Sequence, residues 1–241
     1  MTRASRGVAV VIPAKDEAQR VAATVRSAAS IHGVDLVVVV DDGSADGTDN
    51  LAREAGATVV RHERNRGKAA AMATGAAVVA EQDPAGAPRH LLFVDADLQD
   101  TAAGVAALVE PVAEGRADMT IAVLPPQERP GGGRGLVVNL ARNGIERLTG
   151  WTPAQPLSGM RCLTREAFQS ATPLARGWGV EVGLTVDVLR AGLVVEEVPC
   201  VLHHRVTGTD WRAQLHRARQ YRDVWLALAA RRRPSRRARP R

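Results

Sequence analysis

Apolar residues in the first half of the chain fall into two alternating patterns. Short continuous runs at 8–13, 36–40, 91–94 and 119–124 consist mainly of Val, Leu, Ile and Ala. Between them lie longer stretches whose apolar positions recur three and four apart, as Val21, Val25 and Ala28 do within 17–30. Continuous runs suit strands buried on both faces, and the three-to-four spacing suits amphipathic helices. The pattern predicts strands at 8–13, 36–40, 58–61, 91–94 and 119–124. It predicts helices at 17–30, 47–55, 68–80 and 102–114. Strands alternating with helices imply an α/β fold, a mostly parallel sheet flanked by helices.

The rhythm breaks at 125–135, Pro-Pro-Gln-Glu-Arg-Pro-Gly-Gly-Gly-Arg-Gly, which reads as a binding loop or lid, or equally as a plain connector. Beyond it, 211–230 has Leu215, Ala218, Tyr221, Val224, Trp225 and Leu228 at helical spacing. A chain of 241 residues supports one domain, 1–230, with a nucleotide-binding half at 1–124 and an acceptor half at 136–230.

Charge changes this picture at one end only. The net charge is +6, yet residues 231–241 alone carry seven Arg and no acid, so the body is close to neutral. A basic tail on a neutral body argues against a nucleic-acid footprint. The tail follows Trp225-Leu226-Ala227-Leu228-Ala229, so it fits peripheral contact with an anionic membrane, or equally a solvated end. Cys162 and Cys200 have neither a disulfide framework nor a metal-ligand spacing and read as small buried hydrophobes. No run approaches the roughly 20 apolar residues of a membrane span. The expected location is the cytoplasm, with any membrane contact at its inner face.

The chemistry gathers where strands end. Asp95-Ala96-Asp97 closes the run 91–94, and Asp41-Asp42-Gly43-Ser44 closes the run 36–40. Ligands of parallel α/β sheets collect beyond the carboxyl ends of strands. Two carboxylates two apart there suit a divalent cation, which prefers carboxylate oxygens, water and substrate phosphates. Such an ion would hold a diphosphate. Ser44 and Asp46 read as a turn and a helix cap, and Asp100 as the N-cap of the next helix.

In order along the chain stand Val11-Ile12-Pro13-Ala14-Lys15-Asp16-Glu17, Asp41-Asp42-Gly43-Ser44-Ala45-Asp46-Gly47-Thr48 and Asn65-Arg66-Gly67-Lys68. They are followed by Asp95-Ala96-Asp97-Leu98-Gln99, Ser158-Gly159-Met160-Arg161, Gly179-Val180-Glu181-Val182, and Glu197-Val198-Pro199 running into His204-Arg205. This series resembles the family 2 glycosyltransferases of the GT-A fold, in particular their dolichol-phosphate mannosyltransferase-like branch. The resemblance covers residues 8 to about 220 and implies a metal-dependent enzyme that transfers a sugar from a UDP- or GDP-linked donor.

Residue by residue, it implies that Pro13, Ala14 and Glu17 line the nucleotide pocket and that Asp41 or Asp42 reads the base. Gly67 and Lys68 lie near the nucleotide, where the bland alternative is a solvated basic cluster. Asp95 and Ala96 sit by the ribose, with Asp95, Asp97 and Gln99 around Mg²⁺ or Mn²⁺, and Asp97 is essential to catalysis. Glu181 corresponds to the region where hydroxyl-glycosylating relatives carry a general base. Arg161, His204 and Arg205 would clamp an acceptor phosphate; His203 reads as structural.

The implied acceptor is a polyprenyl phosphate at the membrane face. One departure weakens it: where such relatives carry a Gly-x-Ser-Lys-like segment, this chain has Thr207-Gly208-Thr209-Asp210-Trp211, without the lysine. His216-Arg217 or Arg219 would have to replace it. A small soluble hydroxyl or phosphorylated acceptor is the alternative. The resemblance favours inversion at the anomeric carbon, with retention on a small phosphorylated acid as the other outcome. A sugar-phosphate nucleotidyltransferase is the rival from another class, but no Gly-rich, Lys-containing loop follows the first strand. A non-catalytic protein on this fold would be expected to lack the metal carboxylates kept here.

Overall fold

The computed structural model describes residues 7–125, 135–201 and 211–232, and within 211–217 the backbone only. Seven strands form one sheet: β1 (Val8–Ala14), β2 (Val34–Asp41), β3 (Thr58–Arg61), β4 (His90–Phe93), β5 (Met119–Val123), β6 (Arg161–Leu163) and β7 (Val195–Pro199). Their order is β3-β2-β1-β4-β6-β5-β7. All pairs are parallel except those of β6, which runs antiparallel to both β4 and β5. This is the mostly parallel mixed sheet that the alternating pattern implies.

The helices are α1 (Val21–Ala29), α2 (Thr48–Glu54), α3 (Lys68–Glu81), α4 (Val109–Ala113), α5 (Leu136–Thr149), α6 (Arg165–Ser170), α7 (Val180–Arg190) and α8 (Trp211–Arg231). Side chains of a strand alternate between faces, and β1 shows how both faces become core. Val8, Val10 and Ile12 pack with Val21, Val25 and Ala28 of α1, while Ala9 and Val11 pack with Ala71, Met72 and Ala76 of α3. Fully burying each larger aliphatic is worth about 1.5–3 kcal/mol, so β1 anchors both layers. A third cluster joins α5, α7 and α8 through Ala141, Ile145, Val182, Val186, Val224 and Leu228.

The chain leaves β1 for β2 and β3 on one side, and β4 lies on the other. That reversal is a topological switch point, and the crevice outside the carboxyl ends of β1 and β4 is where such sheets bind ligands.

Several elements depart from the expectations, each for a local reason. The first helix begins at Val21 rather than at 17, because Asp16 takes a left-handed φ of 55° and residues 17–20 form only a turn. The helix expected over 102–114 is a 3-10 segment, Gln99–Leu108, followed by the short α4. Side chains of α1 take its backbone groups: Thr24 Oγ1 accepts from the Gln99 amide, and Ser27 Oγ accepts from Ala103 N–H and donates to the Asp100 carbonyl. Pro111, with no N–H, then shortens the α-helical part. Asp100 lies inside the first 3-10 turn rather than at its cap.

β6 was not expected from the pattern, since three residues led by an arginine carry no run. The face of α8 is also turned from the expected one. Val224, Ala227 and Leu228 are buried, whereas Ala218, Tyr221 and Trp225 are exposed. The Cys expectation holds: both thiols are buried and unpaired, and burial pushes Cys162 up to about 12 and Cys200 up to about 11.

Gly75 of α3 lets that helix approach β1. A Cβ there would fall 2.4 Å from Val11 Cγ1 and 3.2 Å from Val40 Cγ2. Gly75→Ala gains up to about 1 kcal/mol in helix propensity. The overlap dominates, because overpacking a full core costs about 1–3 kcal/mol. The expected result is a lower urea midpoint with an unchanged m value; a rise in the midpoint would show that α3 is not seated this closely.

Candidate active site

The loops after β1 and β2 are sewn together by side chains. The amides of Asp16, Glu17 and Ala18 donate to Ser44 Oγ (2.9 Å), Thr48 Oγ1 (2.9 Å) and Asp46 Oδ2 (3.0 Å). In return Asp16 Oδ1 accepts from Ala45 N–H (3.0 Å), and the Ala14 carbonyl accepts from Asp42 N–H (2.8 Å). Ser44 lies in the turn as expected, whereas Asp46 is not the cap of α2: Gly47 is the N-cap, and Asp46 Oδ1 accepts from Thr48 N–H at 3.1 Å from just outside the helix. Pro13 is half-buried and Ala14 buried beside them, and Glu17 Oε2 pairs with Arg20 Nε at 2.6 Å.

The acidic pair at the end of β2 divides its work. Asp41 is fully buried; its Oδ1 accepts from Ser44 N–H at 2.9 Å. Its Oδ2 lies 3.3 Å from the Arg61 guanidinium and, among the described residues, has no hydrogen-bond donor. Asp42 is instead fully engaged. Its oxygens meet His62 Nδ1 (2.7 Å), Arg66 N–H (2.8 Å) and Gly67 N–H (2.7 Å). Burial pushes the Asp42 pKa up, but the His62 ring and the two amides outweigh it and leave the carboxyl below its ordinary value. Of the two base-reading candidates, Asp42 is therefore a brace for the 62–67 loop, and Asp41 is buried against Arg61 with one oxygen that lacks a hydrogen-bond donor among the described residues. The Gly67 amide, at the start of α3, is already used by Asp42, which supplies the negative charge there.

Lys68, the first residue of α3, is not a solvated cation. Its Nζ lies 2.8 Å from Asp95 Oδ1 and 3.1 Å from Glu181 Oε1, in the first turn of α7. Burial works against its charge, but Asp95 and Glu181 prevail, and its pKa is raised. Gly159 crosses directly over this group. A Cβ at 159 would fall 2.5 Å from Lys68 Nζ and 2.9 Å from both Asp95 oxygens, so the strap needs glycine there. The three charged residues open into a cleft of about 120 Å³ that Trp178, Leu157, Gln220 and Val224 also line.

Ala96 is buried, Asp97 half-buried and Gln99 exposed at the end of this motif. Asp97 is close enough to Arg20 to help raise the arginine's pKa, behind the larger contribution of Glu17. Gln99 has φ of 50°, and Asp16 and Gln99 are the two non-glycine residues with positive φ among those described. Both flank the switch-point crevice, where left-handed backbone of this kind is often functional.

Arg161 does not reach toward an acceptor. It is 1% exposed, its Nε donates to the Ser158 carbonyl (2.9 Å) and its Nη1 to Thr185 Oγ1 (2.8 Å). Burial lowers its pKa to about 10, so it stays charged at neutral pH as an internal strut between β6 and α7. His203, His204, Arg205 and the segment 207–210 lie outside the described residues, and the side chains of His216 and Arg217 are likewise not described.

The described residues fit a hard divalent ion. No group of three His, Cys, Asp or Glu converges to cage a metal among them. Mg²⁺ and Mn²⁺, however, need only one or two carboxylates when phosphates and water complete the shell. Asp97 and Asp95, the latter already paired with Lys68, are the carboxylates there. Arg20, Trp178, Gln220 and Val224 escaped the sequence reading. Arg20 is three residues beyond Glu17 and was legible as its helical partner. Gln220 and Val224 come from α8, more than a hundred residues from Lys68 and Asp95, and nothing in the sequence pointed them at this cleft.

The glycosyl transferase family 2 model matches residues 9–169. Glycosyltransferase AglJ of Haloferax volcanii is 31% identical over 211 residues, covering 84% of this chain and 65% of its own. Glucosyl-3-phosphoglycerate synthase of Mycolicibacterium smegmatis is 33% identical over 208 residues, 79% of this chain and 67% of that one. This chain thus spans about two thirds of their length. The Mycobacterium tuberculosis synthase, solved with Mn²⁺, UDP and phosphoglyceric acid, superposes with a TM-score of 0.75 at 28% identity, covering 94% of this chain and 78% of that one. The same enzyme has been solved with Mn²⁺, UDP-glucose and phosphoglyceric acid (TM-score 0.73). With its sheet order, its acidic strand ends and these matches, the chain belongs to glycosyl transferase family 2 and has the GT-A fold.

Proposed function

We propose that this chain is a metal-dependent glycosyltransferase that moves a sugar from a UDP-linked donor to a small phosphorylated acceptor. The observation that carries the reading is the convergence of Asp95, Lys68 and Glu181 beside the switch-point crevice. The synthase crystallised with UDP-glucose and phosphoglyceric acid supports the donor and acceptor classes. Asp95 and Asp97, with Gln99, would hold Mg²⁺ or Mn²⁺, which when bound offsets charge on the departing diphosphate. A GDP-linked donor is the alternative. The nucleotidyltransferase alternative gains no support from the family match.

The chain's own residues have definable roles. Asp41 presents a buried, acceptor-only oxygen suited to a base N–H or a ribose hydroxyl. Pro13, Ala14 and Glu17 edge the same crevice, and Asp42 braces the loop that delivers Lys68. On the acceptor side, a hydroxyl nucleophile must lose its proton and Glu181 is the carboxylate at hand, whereas a phosphate oxygen needs only clamping. Arg205 and His204 are the proposed clamp.

A second reading, the polyprenyl phosphate acceptor of the dolichol-phosphate mannosyltransferase-like branch, is favoured by a different feature. Between α5 and α8 runs a groove of about 280 Å³ lined by Leu136, Leu140, Tyr221 and Trp225, with Arg147 and Arg232 beside them. Leu136 is 61% exposed and Trp225 45%. Aromatic, apolar and Arg side chains together suit an anionic lipid surface. No helix among the described residues is long and apolar enough to cross a membrane.

UDP with Mn²⁺ is expected to raise the melting temperature clearly more than either alone, because the diphosphate and the carboxylates share the ion. Asp97→Asn should abolish that joint increment and cut turnover roughly 100-fold or more, the equivalent of about 3 kcal/mol of charge stabilisation. Full turnover in EDTA would refute the metal requirement.

Asp42→Asn separates bracing from base reading. It removes the charge from a carboxylate bonded to two amides and a ring, and should cost about 1.5–3 kcal/mol in urea unfolding. The lowered pKa of Asp42 works in the same direction. Its stabilising contribution is complete above the ordinary carboxylate range and is lost as pH falls through the lowered value, so the wild-type advantage over Asp42→Asn should shrink in acid. An unchanged unfolding midpoint would return Asp42 to the nucleotide.

Acceptor class is decided by pairing assays. On the first reading, a small phosphorylated hydroxy acid accepts sugar, Glu181→Gln is strongly impaired, and Trp225→Ala is unimpaired. If instead only a lipid phosphate in anionic vesicles is glycosylated, and Trp225→Ala weakens vesicle binding, the second reading holds.

A further inference from the structure

The cleft around Lys68 holds three charged groups that compensate one another, and one polar group that they leave out. Lys68 Nζ meets Asp95 Oδ1 at 2.8 Å and Glu181 Oε1 at 3.1 Å. The side-chain amide of Gln220, half-buried on α8, lines the same cleft and has no hydrogen-bond partner among the described residues. Glu181 Oε2 likewise has none among them. An ammonium carries three donors, and the two carboxylates occupy two of them. Val137, Leu157, Val224 and Trp178 supply largely apolar walls. This inventory selects the chemistry of what enters. An anion would be drawn to Lys68 but repelled by two carboxylates, and a cation would meet the ammonium. A hydroxyl suits every group present, because it both donates and accepts. It donates to Glu181 Oε2 and accepts from the Gln220 amide or the third Lys68 proton. The helix that carries Gln220 is seated closely. A Cβ at Gly179 would fall 2.6 Å from both the Asp223 carbonyl oxygen and Ala227 Cβ, so α8 lies directly against the Gly177–Gly179 turn. That turn leads into α7 and Glu181, and Val224, one helical turn beyond Gln220, is fully buried. Gln220 and Glu181 therefore share the cleft from two elements packed against each other.

We propose that Gln220 is a specificity-determining residue, whose amide reads a substrate hydroxyl held against Glu181. The proposal rests on the glycosyltransferase reading above and goes beyond it, since Gln220 lies outside the residues 9–169 that the family model matches. The hydroxyl has two sources, the transferred sugar or the acceptor, and both present the same chemistry to the cleft. A site built to bond a hydroxyl rejects an analogue that lacks it, because the site's own polar groups are then left unpaired. Removing the amide should therefore relax discrimination rather than weaken all substrates alike.

The test is steady-state kinetics of the full chain with Mn²⁺ and phosphoglyceric acid, comparing UDP-glucose with its monodeoxy analogues, one for each free hydroxyl of the glucose. Gln220→Met keeps the length of the side chain and removes both its donor and its acceptor. If the sugar supplies the hydroxyl, the preference of wild type for UDP-glucose over one analogue shrinks about tenfold in Gln220→Met, with the acceptor KM unchanged. If the acceptor supplies it, kcat/KM for phosphoglyceric acid falls about tenfold and the donor preferences stay as they are. Either result supports the proposal and names the source. Gln220→Leu stands in if the Met variant does not fold by circular dichroism, and should behave in the same way. Donor preferences and acceptor kinetics that all stay within about twofold of wild type overturn the proposal. So does an equal loss on every donor and on the acceptor with a lowered melting temperature, which is the mark of a merely structural residue. Failure of wild type to turn over any of these donors overturns the UDP-donor reading, and the proposal falls with it.

Discussion

Compensation of buried charge at Lys68 is the constraint from which the rest of the site follows. Its ammonium reaches one carboxylate at the end of β4 and another in the first turn of α7. Leaving any of the three without its partner in so narrow a cleft would carry a large desolvation penalty. The start of α3, the end of β4 and the start of α7 are thus held in one geometry. Gly159 contributes by absence: the strap can lie against this group only because no Cβ stands between them.

A second carboxylate holds the neighbouring loop. Residues 62–67 are irregular, and the Arg66 and Gly67 amides find their acceptor in Asp42. The loops after β1 and β2 solve the same problem with Ser44, Asp46 and Thr48. Backbone polar groups without a ladder must be satisfied by side chains or water. Much of what reads as binding chemistry in these motifs is therefore scaffold: Asp42, Ser44 and Asp46 hold the loops that shape the crevice.

The C-terminal helix links this crevice to the other face of the molecule. Gln220 and Val224 of α8 line the cleft with Lys68 and Glu181, while Tyr221 and Trp225 of the same helix line the groove against α5. One helix thus lines both the cleft and the outer groove. The two acceptor readings differ in whether the outer groove takes part.

The sequence by itself determined the layered fold and where its acidic strand ends gather. Valine-rich runs such as 36–40 can be buried on both faces only in a covered parallel sheet, and the acidic ends of two such runs had to meet at its carboxyl edge. What it could not determine was how each polar group is used, because a side chain's task depends on neighbours brought from far along the chain. Arg161 sits in a motif that resembles an anion clamp, yet Ser158 and Thr185 enclose its guanidinium. Asp41 and Asp42 are equivalent on paper; contact with the 62–67 loop makes Asp42 a brace, while Asp41 is buried against Arg61. The short strand β6 forms because β4 and β5 flank it on both sides, a support that three residues led by an arginine do not announce. Periodicity is a local property and survives in the sequence, whereas charge pairing and close approach are settled only when distant segments are packed together.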